Sequence, residues 1–573
     1  MPIRNTDIAE KFSHLADLLE IKGENAFRVR AYRNAARTVQ GLSRQASELI
    51  DEGEDLSRLP GIGKDLAGKI ATIAQTGELP ALKELQQEFS PEMSRIMGIA
   101  GLGGKRTAAI FKHLGVSSLD ELEDAARKGK IRTLEGFGEK TEKAVLEGVA
   151  QVRKGSERTL LSRAEEMVAP LMEYLREEKG ITALDVAGSY RRRRETVGDL
   201  DILAICSSPR KAMNRFVDYE DVAKVVSKGD TRSTVILRSG MQIDLRVLSR
   251  ESYGAALHYF TGSKAHNIAV RGLGRERGLK ISEYGVFKGD KRVGGKRETE
   301  VFESVGLSYI PPELRENRGE IEAVREGNLP RLVELEDIRG DLHVHSTYTD
   351  GKRSIEEMAR AAKKKGYRYV GITDHSRAVR VAGGLDAAGL AEQIEEIDAV
   401  NKKLSGITVL KGIEVDILED GSLDLPDAIL KKLDYTVCSI HSKFNLSVGE
   451  QTERVLKAMR NPVFTILAHP TGRMLGQRQP FEIDLRPVFE EAAKLGCMVE
   501  INAQPERLDL NDVHARAAME AGCPVAISTD AHNDAGLEFM RYGVWQARRA
   551  WLEKKHVANT RSLGELRKLF KRK

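Results

Sequence analysis

The stretch "GDLHVHSTYTDGK" (residues 340–352) contains two histidines two positions apart in a short apolar run. Successive side chains of a β-strand point to opposite faces of a sheet, so residues two apart share one face. The stretch therefore predicts a strand that presents His343 and His345 on the same side, with Asp350 in the following loop. Imidazole and carboxylate groups at this spacing are typical of a metal site.

The same combination of a strand and a ligand-type side chain recurs through the rest of the chain. From residue 339 onward, strand-like runs alternate with helical stretches, which predicts a barrel-like parallel α/β domain of seven strand–helix units. All of these runs except "CMVEINA" (497–503) end in or near a histidine, aspartate or glutamate. Strand ends of this kind hold the active sites of such barrels. The predicted metal ligands are His343, His345, Asp350, His375, Glu414, His441, His469, Asp530 and His532.

These ligands outnumber what one ion requires, so two or three ions are expected. Glu414 is predicted to bridge them because it stands centrally in the order of the motifs. A lone histidine is more often a packed core residue. Here six of the chain's 12 histidines fall at corresponding strand ends, which argues against core packing.

The composition bounds the class of protein. At 573 residues the chain is too long for one hydrophobic core and suggests about three to five domains. The hydrophobic fraction of 41% and charged fraction of 31% are typical of globular proteins. No apolar run approaches the length of a membrane span, and the first residues lack the apolar core of a signal peptide. The four cysteines are scattered, which indicates a reducing compartment. A cytoplasmic location is therefore predicted. A net charge of +5 does not by itself indicate a nucleic-acid partner.

A second cluster of carboxylates lies in the middle of the chain, around "VAGSYRRRRETVGDLDILAI" (186–205). Asp199 and Asp201 are two apart in a predicted strand, and Asp244 lies in "MQIDLRV", predicted as a neighbouring strand. Three carboxylates on one face repel one another unless a divalent cation compensates, and oxygen ligands favour Mg²⁺. Two such ions would activate a 3′ hydroxyl and stabilise a leaving pyrophosphate.

Three N-terminal segments share one pattern: "LPGIGKDLAGKI" (59–70), "IAGLGGKRTAAI" (99–110) and "LEGFGEKTEKAV" (134–145). Each has glycine, an apolar residue and glycine before a helix with an early lysine. Glycine permits a sharp turn and close approach, and a helix N-terminus offers free N–H groups to a phosphate. Glycine for turn geometry alone is the alternative, but three copies near "RVRAYRNAAR" (28–37) favour binding of a nucleic-acid backbone. The predicted contacts are Gly61, Gly63, Gly101, Gly103, Gly136 and Gly138.

These segments resemble the helix-hairpin-helix DNA-binding element, which implies a monovalent cation, K⁺ or Na⁺, at the hairpins. The middle region resembles family X DNA polymerases. That resemblance rests on "GS" ten residues before the aspartate pair, on Asp244, and on "YFTGSKAHNIAVR" (259–271). It implies that Tyr259 and Phe260 lie at the sugar and exclude a ribose 2′-hydroxyl. The other implied contacts are Gly188, Ser189, Gly198 and Gly262 at the nucleotide, Arg192 at the triphosphate, Asn267 at the nucleotide or minor groove, and Arg271 on the template side.

The sequence departs from the animal members of that family at several positions. Lys264 replaces an aspartate, and Gln242 stands where they carry an arginine two residues before the third aspartate. The segment "AYRNAAR…LPGIGKDLAGKI" resembles the family's lyase domain, which implies Lys69 as an amine nucleophile toward an abasic sugar. Asp65 replaces a lysine there. The alternatives for Lys69 are a solvated lysine on the helix surface and a lysine that contacts phosphate.

Residues 339–573 resemble the polymerase-and-histidinol-phosphatase (PHP) domain, which implies two or three Mn²⁺, Zn²⁺ or Fe ions that make a nucleophile from water. Asp374 is expected to support a ligand rather than bind metal. Arg377 and Arg473 are either phosphate clamps or surface charges.

The predicted fold class is multidomain: an all-α helix-hairpin-helix N-terminal region, an α+β nucleotidyltransferase palm and thumb, and a C-terminal α/β distorted (β/α)7 PHP barrel. The predicted limits are 1–90 for a lyase-like domain with the first hairpin, 91–155 for fingers with two further hairpins, 156–248 for the palm, 249–315 for the thumb, 316–338 for a linker and 339–573 for the PHP domain.

The whole chain resembles bacterial family X DNA polymerases fused to a PHP domain. This implies gap-filling DNA synthesis in repair with Mg²⁺ or Mn²⁺, and metal-dependent 3′→5′ exonuclease action, with AP-site or 3′-end processing open. The expected partners are gapped or primer-template DNA and dNTPs, and no membrane is expected. The protein is expected to be a monomer that is associated with the bacterial nucleoid. Two rivals are a PHP phosphomonoesterase tethered to DNA by its front half, and a binding module with degraded metal sites.

Overall fold

The computed structural model describes residues 5–40, 46–51, 53–59, 61–90, 92–97, 99, 102–156 and 158–571. Within them the α-helices are α1 (Asn5–Lys22), α2 (Ala26–Gln40), α3 (Ala46–Asp51), α4 (Lys64–Thr76), α5 (Pro80–Glu88), α6 (Met93–Met97), α7 (Gly104–Leu114), α8 (Leu119–Arg127), α9 (Glu139–Ser156), α10 (Leu161–Arg176), α11 (Gly188–Arg191), α12 (Pro209–Val217), α13 (Tyr253–Thr261), α14 (Lys264–Glu276), α15 (Glu298–Ser304), α16 (Glu320–Arg325), α17 (Ile355–Lys364), α18 (Ala387–Lys403), α19 (Asp427–Leu430), α20 (Val448–Met459), α21 (Leu485–Leu495), α22 (Asp512–Glu520), α23 (Met540–Arg549) and α24 (Leu563–Phe570).

The β-strands of the described residues are β1 (Thr159–Leu160), β2 (Ile181–Val186), β3 (Thr196–Val197), β4 (Leu200–Cys206), β5 (Val222–Lys228), β6 (Arg232–Leu237), β7 (Gln242–Val247), β8 (Lys280–Ser282), β9 (Gly285–Lys288), β10 (Lys291–Gly294), β11 (Gly340–Val344), β12 (Tyr369–Ile372), β13 (Thr408–Lys411), β14 (Glu414–Asp416), β15 (Val437–Ser439), β16 (Ile466–Leu467), β17 (Met498–Asn502) and β18 (Val525–Ser528).

The N-terminal region is helical and has its own core. Apolar residues of α1 recur at helical spacing, and Phe12, Leu15 and Leu18 are fully buried against the following helices. The described part of this core runs from Ile8 to Val149. The region therefore buries its apolar surface within itself.

The next region is built on a mixed sheet with strand order β2-β4-β7-β6-β5. β4 and β7 run parallel, whereas the other neighbouring strands are antiparallel. Helices α10 and α12 cover the sheet through Leu171 and Phe216, both fully buried. This arrangement places the ends of β4 and β7 side by side.

A smaller unit follows, in which α13, α14 and α15 pack on the antiparallel sheet β10-β9-β8. The segment expected to be a linker contains α16, whose Ile321 packs into the core of this unit together with Leu332. One residue later, Val333 packs into the core of the C-terminal region. The connecting segment is therefore held against the domains on both sides.

The C-terminal region contains two parallel sheets, of order β11-β12-β13 and β14-β15-β16-β17-β18. Their strands are short, fully buried apolar runs such as Tyr369–Ile372, as expected where helices cover a parallel sheet. The run "TVLKGIEVDI", interpreted from the sequence as one strand, is divided between β13 and β14. Isolated parallel bridges, Val344 with Ala531 and His375 with Glu414, join the two sheets.

The C-terminal region packs directly on the mixed sheet unit. Leu508 and Tyr542 belong to the hydrophobic core of that unit, and Trp545 packs beside them. The guanidinium of Arg193 lies 4.0 Å from the centroid of the Trp545 ring. The Tyr542 hydroxyl donates a hydrogen bond of 2.7 Å to Glu165. Apolar packing and polar contacts thus hold the two regions together.

Candidate active sites

The parallel pairing of β4 and β7 places Asp201 directly beside Asp244. Asp199 lies one position before the start of β4. Asp199 is exposed and Asp201 is half-buried, whereas Asp244 is only 9% exposed. The sheet therefore brings two of the predicted carboxylates together, with the third at the strand end.

The environment of Asp201 disfavours its charged form. Burial raises the pKa of Asp201 to about 6, and neighbouring Asp199 adds to the rise, whereas Arg246 opposes it. The Thr234 hydroxyl donates a hydrogen bond to Asp244. Carboxylates that repel one another in this way favour a cation beside them, and oxygen ligands suit Mg²⁺ or Mn²⁺.

Arg246 is a residue of this site that the sequence interpretation missed. Its Nε lies 4.0 Å from Asp201 Oδ1, its Nη2 lies 4.0 Å from Asp244 Oδ2, and its guanidinium stands 4.5 Å from the Phe260 ring centroid. Arg246 follows Asp244 by two positions on β7, so the shared strand face was the available signal. Among the described residues, tight clusters of three or more ligand-type side chains all lie in the C-terminal region, so these aspartates form none.

The predicted phosphate-binding turn contacts the segment that contains "YFTGS". Gly188 adopts a φ of 66° at the start of α11. The Arg191 guanidinium donates a 2.8 Å hydrogen bond to Thr261 Oγ1 and pairs with Glu298 at 2.7 Å. Arg192 donates to the carbonyl of Thr261. Both arginines thereby join the turn to the end of α13.

The remaining pocket residues surround that contact. The rings of Tyr259 and Phe260 pack edge to face with centroids 5.2 Å apart, and Asn267 donates a 2.7 Å hydrogen bond to the Tyr259 carbonyl. A Cβ built at Gly262 would lie 3.1 Å from Nη1 of Arg192, so this glycine and this arginine are immediate neighbours. Ser189 is half-buried, and three further residues singled out from the sequence are exposed: Gly198, Lys264 and Arg271.

The hairpin glycines face open space. Gly61, Gly103 and Gly136 adopt positive φ values, and Gly63 and Gly103 directly precede α4 and α7. A Cβ built at Gly63, Gly103, Gly136 or Gly138 would meet no atom within 4 Å. The backbone there is accessible to a ligand. Gly101 lies outside the described residues.

Lys69 is engaged in an ion pair on its own helix. Its Nζ lies 2.5 Å from Asp65 Oδ1 and 5.8 Å from the centroid of the Tyr32 ring. The amine would have to leave Asp65 before it could act as a nucleophile.

The C-terminal region brings all nine predicted metal ligands together. The ligand atoms form three overlapping groups: His345 with Asp350, His375 and His532; His343 with His345 and Asp530; and His375 with Glu414 and His441. The ninth residue, His469, has its Nε2 3.0 Å from Glu414 Oε1. Strands β11, β12, β15, β16 and β18 supply eight of these residues from near, or just after, their carboxyl ends, and Glu414 is the first residue of β14.

Glu414 lies at the centre of this cluster. One of its carboxylate oxygens is 2.8 Å from His375 Nδ1 and 3.5 Å from His343 Nε2, and the other is 3.4 Å from His441 Nε2. Burial alone would raise the pKa of Glu414, but the surrounding histidines hold it well below its usual range. Its position suits a carboxylate shared between ions.

The donor atoms of the cluster fit metal binding. Buried His343 Nε2, both ring nitrogens of His345, His375 Nδ1 and Glu414 Oε2 make no hydrogen bond of suitable geometry, although the last two atoms lie 2.8 Å apart. In folded proteins generally, the large majority of buried polar atoms have a hydrogen-bond partner. Imidazole nitrogens combined with carboxylate oxygens suit Zn²⁺, Mn²⁺ or Fe.

Two buried carboxylates that the sequence interpretation missed orient predicted ligands. Glu500 lies 2.8 Å from His343 Nδ1, and Asp416 lies 2.6 Å from His441 Nδ1. Asp374, expected in a supporting role, accepts hydrogen bonds from the Ser346 backbone and from Gln393. Glu500 belongs to "CMVEINA", the one run without a predicted ligand. A carboxylate behind a ligating histidine fixes its ring orientation.

Removing the Asp416 carboxylate is expected to weaken metal binding without removing a predicted ligand. We expect Asp416→Asn to lower metal affinity about 10- to 100-fold, because His441 loses the group that orients its ring. Titration of the metal-free protein with Mn²⁺ measures this affinity. Asp420→Asn, at an exposed turn four residues later, serves as the control. Equal affinities for the two variants would contradict the role of Asp416.

The metal cluster opens to a cavity with one nearby cation that the sequence did not single out. Val379, Val381, Ala382 and Arg507 line this cavity together with the predicted ligands. Arg377 is exposed, but Arg473 is buried and pairs with Glu195 of the mixed sheet unit at 2.7 Å. Arg473 is therefore an interdomain contact, neither a phosphate clamp nor a surface charge.

The fold and the two sites define a metal-dependent enzyme in which a polymerase-type nucleotidyltransferase centre is joined to a PHP-type metal centre. Four family models match the chain. They are a helix-hairpin-helix domain at residues 3–79, a SAM-like helix-hairpin-helix tandem at 93–150, the DNA polymerase beta thumb at 256–316 and the PHP domain at 341–503. No helix among the described residues has the length and apolar character needed to cross a membrane.

The chain is 39% identical over 570 residues to the DNA polymerase/3′-5′ exonuclease PolX of Bacillus subtilis (strain 168), an alignment that covers 99% of each protein. The chain belongs to the PolX family. It is also 30% identical over 244 residues to a probable phosphatase of Thermoanaerobacter sp. (strain X514), covering 41% of this chain and 94% of the phosphatase. A probable phosphatase of Caldanaerobacter subterraneus is 32% identical over 203 residues, covering 34% and 75%.

Proposed function

We propose that this protein fills short gaps in DNA during repair and removes nucleotides from 3′ ends at a second, separate centre. The observation that carries this proposal is the presence of two separate groups of ligand-type residues on one chain. Asp201 and Asp244 are paired across β4 and β7, and nine further ligands converge at the strand ends of the C-terminal region. Full-length similarity to a DNA polymerase/3′-5′ exonuclease supports both activities.

At the first centre, Asp199, Asp201 and Asp244 would hold Mg²⁺ or Mn²⁺, which supplies activation of the primer 3′ hydroxyl and stabilisation of the leaving pyrophosphate. Arg192 would bind the triphosphate, next to the turn formed by Gly188 and Ser189. The other contacts are proposed for Gly198, Tyr259, Phe260, Gly262, Asn267 and Arg271. The aromatic pair borders Arg246 and Asn267, which supports its place at the sugar.

At the second centre, the nine clustered residues would hold two or three Mn²⁺, Zn²⁺ or Fe ions, which supply a water nucleophile near neutral pH. Glu500 and Asp416 keep His343 and His441 oriented for binding. Arg507 lines the cavity and is placed to meet a phosphate. This centre would hydrolyse the terminal phosphodiester of a DNA strand.

The hairpins would bind the sugar-phosphate backbone, with K⁺ or Na⁺ at the turns. Their open glycine faces support this use. The same proposal includes the domain limits that were predicted from the sequence. It also includes a monomeric state and a location near the nucleoid. Lyase chemistry at Lys69 would require release of its Asp65 ion pair.

A labelled primer in a duplex with a one-nucleotide gap tests the proposal. We expect Mg²⁺ with dNTPs to support extension, and Mn²⁺ without dNTPs to support shortening from the 3′ end. Chelation of divalent ions abolishes both. Extension without shortening would leave the second centre without its proposed substrate, and shortening without extension would overturn the proposed synthesis.

Phosphomonoester hydrolysis is a second candidate activity for the C-terminal centre, because this region is similar to probable phosphatases. A primer that ends in a 3′-phosphate separates the alternatives. Loss of phosphate alone indicates a phosphomonoesterase, whereas progressive loss of nucleotides indicates an exonuclease.

Extension is expected to require more Mg²⁺ at low pH. Because burial raises the pKa of Asp201 to about 6, about half of this carboxyl group is protonated at pH 6 and almost none at pH 8. Protons therefore compete with Mg²⁺ only at the lower pH. We expect the half-saturating Mg²⁺ concentration for extension to be at least about twofold higher at pH 6. A Mg²⁺ titration at both pH values measures this, and an unchanged requirement would contradict it.

A further inference from the structure

A buried chain of charged side chains joins the nucleotide pocket to the C-terminal region. Glu316 lies just after the thumb-type unit, and its Oε1 is 3.1 Å from Nε of Arg192 and 3.0 Å from Nη1 of Arg549. Arg549 is the last residue of α23 in the C-terminal region. Its other nitrogen pairs with Asp512 at 2.7 Å, and Arg318 reaches the same carboxylate at 3.0 Å.

These groups are almost completely removed from solvent. The exposed fraction of the side chain is 2% for Arg549, 11% for Glu316 and 14% for Arg192. Burial would raise the pKa of Glu316, but Arg549 and Arg192 hold it at about 2, so this carboxylate is ionised. Buried ion pairs add little to stability compared with apolar packing, because desolvation offsets the attraction. Packing alone therefore gives no reason for the chain of charges.

Arg192 is the member of the chain that borders the nucleotide pocket. Its Nη1 lies beside Gly262 and donates to the carbonyl of Thr261. Arg549 also donates a 2.8 Å hydrogen bond to the backbone carbonyl of Arg192. The C-terminal region thus contacts the backbone of Arg192 directly, and it contacts the Arg192 side chain indirectly through Glu316.

The Glu316 carboxylate is shared by Arg192 and Arg549, with Arg194 Nη1 farther away at 3.8 Å from the same oxygen, and this sets up a competition. When a triphosphate attracts Arg192, Glu316 weakens that attraction unless another cation compensates its charge. Arg549 supplies this compensation from a region 233 residues away in sequence. We propose that Arg549 is a positioning residue of the polymerase centre, which sets the affinity for dNTP by balancing the charge of Glu316 and so releasing Arg192. The proposal rests on the triphosphate role given to Arg192 under the proposed function.

Arg549 could instead serve only to attach the C-terminal region, and Arg548 provides the matched control. Arg548 lies on the same helix and pairs with Glu313 at 2.8 Å and Glu334 at 2.6 Å. It bridges the same two regions, but its hydrogen bonds and ion pairs with the described residues are to Glu313, Glu334 and the Val333 carbonyl, not to Arg192 or Glu316. A purely structural role predicts similar effects of Arg548→Ala and Arg549→Ala on nucleotide affinity.

The test is a dNTP titration of single-turnover gap filling, which separates the half-saturating dNTP concentration from the maximal rate. We expect Arg549→Ala to raise the half-saturating concentration about tenfold, the effect of one charge-assisted contact, and to change the maximal rate by less than about threefold. Glu316→Gln should lower this concentration about threefold, because Arg192 is freed. Arg548→Ala should leave it within about twofold of wild type.

The double variant Arg549→Ala/Glu316→Gln decides between charge balance and attachment. Charge balance predicts that removing the Glu316 carboxylate restores the half-saturating dNTP concentration to within about threefold of wild type. A double variant that keeps the full defect of Arg549→Ala would overturn the proposal. So would a Glu316→Gln variant with unchanged dNTP affinity, which tests the idea even where Arg549→Ala fails to fold.

Two further readouts keep this test distinct from the proposed function. Primer shortening in Mn²⁺ should be unchanged in Arg549→Ala, which shows that the C-terminal region is folded. Absence of extension by the wild-type protein would refute the proposed synthesis itself, and it is observed before any variant is compared.

Discussion

Asp201→Asn abolishes primer extension on a gapped duplex, with an expected loss of about 1,000-fold. The substitution keeps the size of the side chain but removes the charge that Asp201 contributes beside Asp244 and Asp199. Several kcal/mol of metal-assisted stabilisation of the reaction would be lost, which corresponds to a rate effect of this size. Arg246, 4.0 Å away, would then face one carboxylate fewer.

The measurement is the rate of single-nucleotide insertion in Mg²⁺, with Asp230→Asn as the control. Asp230 is an exposed carboxylate of the same unit and pairs with Arg210 at 3.3 Å. We expect the control to extend at the wild-type rate and both variants to retain primer shortening in Mn²⁺. Extension by Asp201→Asn at a rate near that of the control would show that synthesis occurs elsewhere or does not use these carboxylates.

Glu414→Gln eliminates primer shortening and releases bound transition metal. Glu414 lies within 3.7 Å of five histidines, so an amide at this position removes the negative charge that would offset the repulsion between neighbouring cations. We expect a loss of nuclease activity of about 1,000-fold, since water activation depends on the ions. Extension in Mg²⁺ should persist.

Elemental analysis of the purified protein and a primer-shortening assay in Mn²⁺ measure the two effects. Glu419→Gln is the matched control, because Glu419 lies five residues later, is exposed and pairs with Lys443 at 2.9 Å. The control should keep its metal and its nuclease activity. A Glu414→Gln protein that retains a full complement of metal would remove Glu414 from its central role.

Much of the fold could be predicted because its signals are local. The helical spacing of Phe12, Leu15 and Leu18 is typical of a buried helix face, and the structure buries all three. His343 and His345 were predicted to share a strand face, and both contribute to one ligand group. Local periodicity of this kind requires no knowledge of which elements meet in space.

The residues that orient the ligands or join the domains could not be predicted in the same way, because their contact partners are distant in sequence. Glu500 meets His343 across 157 positions, and Arg473 meets Glu195 across 278. Arg473 was interpreted from its position near a ligand motif, yet its contact lies on another domain. Arg246 was the exception, since its two-residue spacing from Asp244 carried the signal. The way in which the two C-terminal sheets are joined also depends on bridges between segments that are far apart in sequence.

The shared core of the mixed sheet unit and the C-terminal region has a consequence for how the protein melts. Leu508 and Tyr542 contribute to a core that otherwise comes from residues more than 200 positions earlier, so neither region can unfold without exposing apolar surface of the other. The described N-terminal core, from Ile8 to Val149, has no member from beyond residue 149. Calorimetry should therefore resolve a separate N-terminal transition and one cooperative transition for the rest, so that the synthetic and degradative centres are lost at the same temperature.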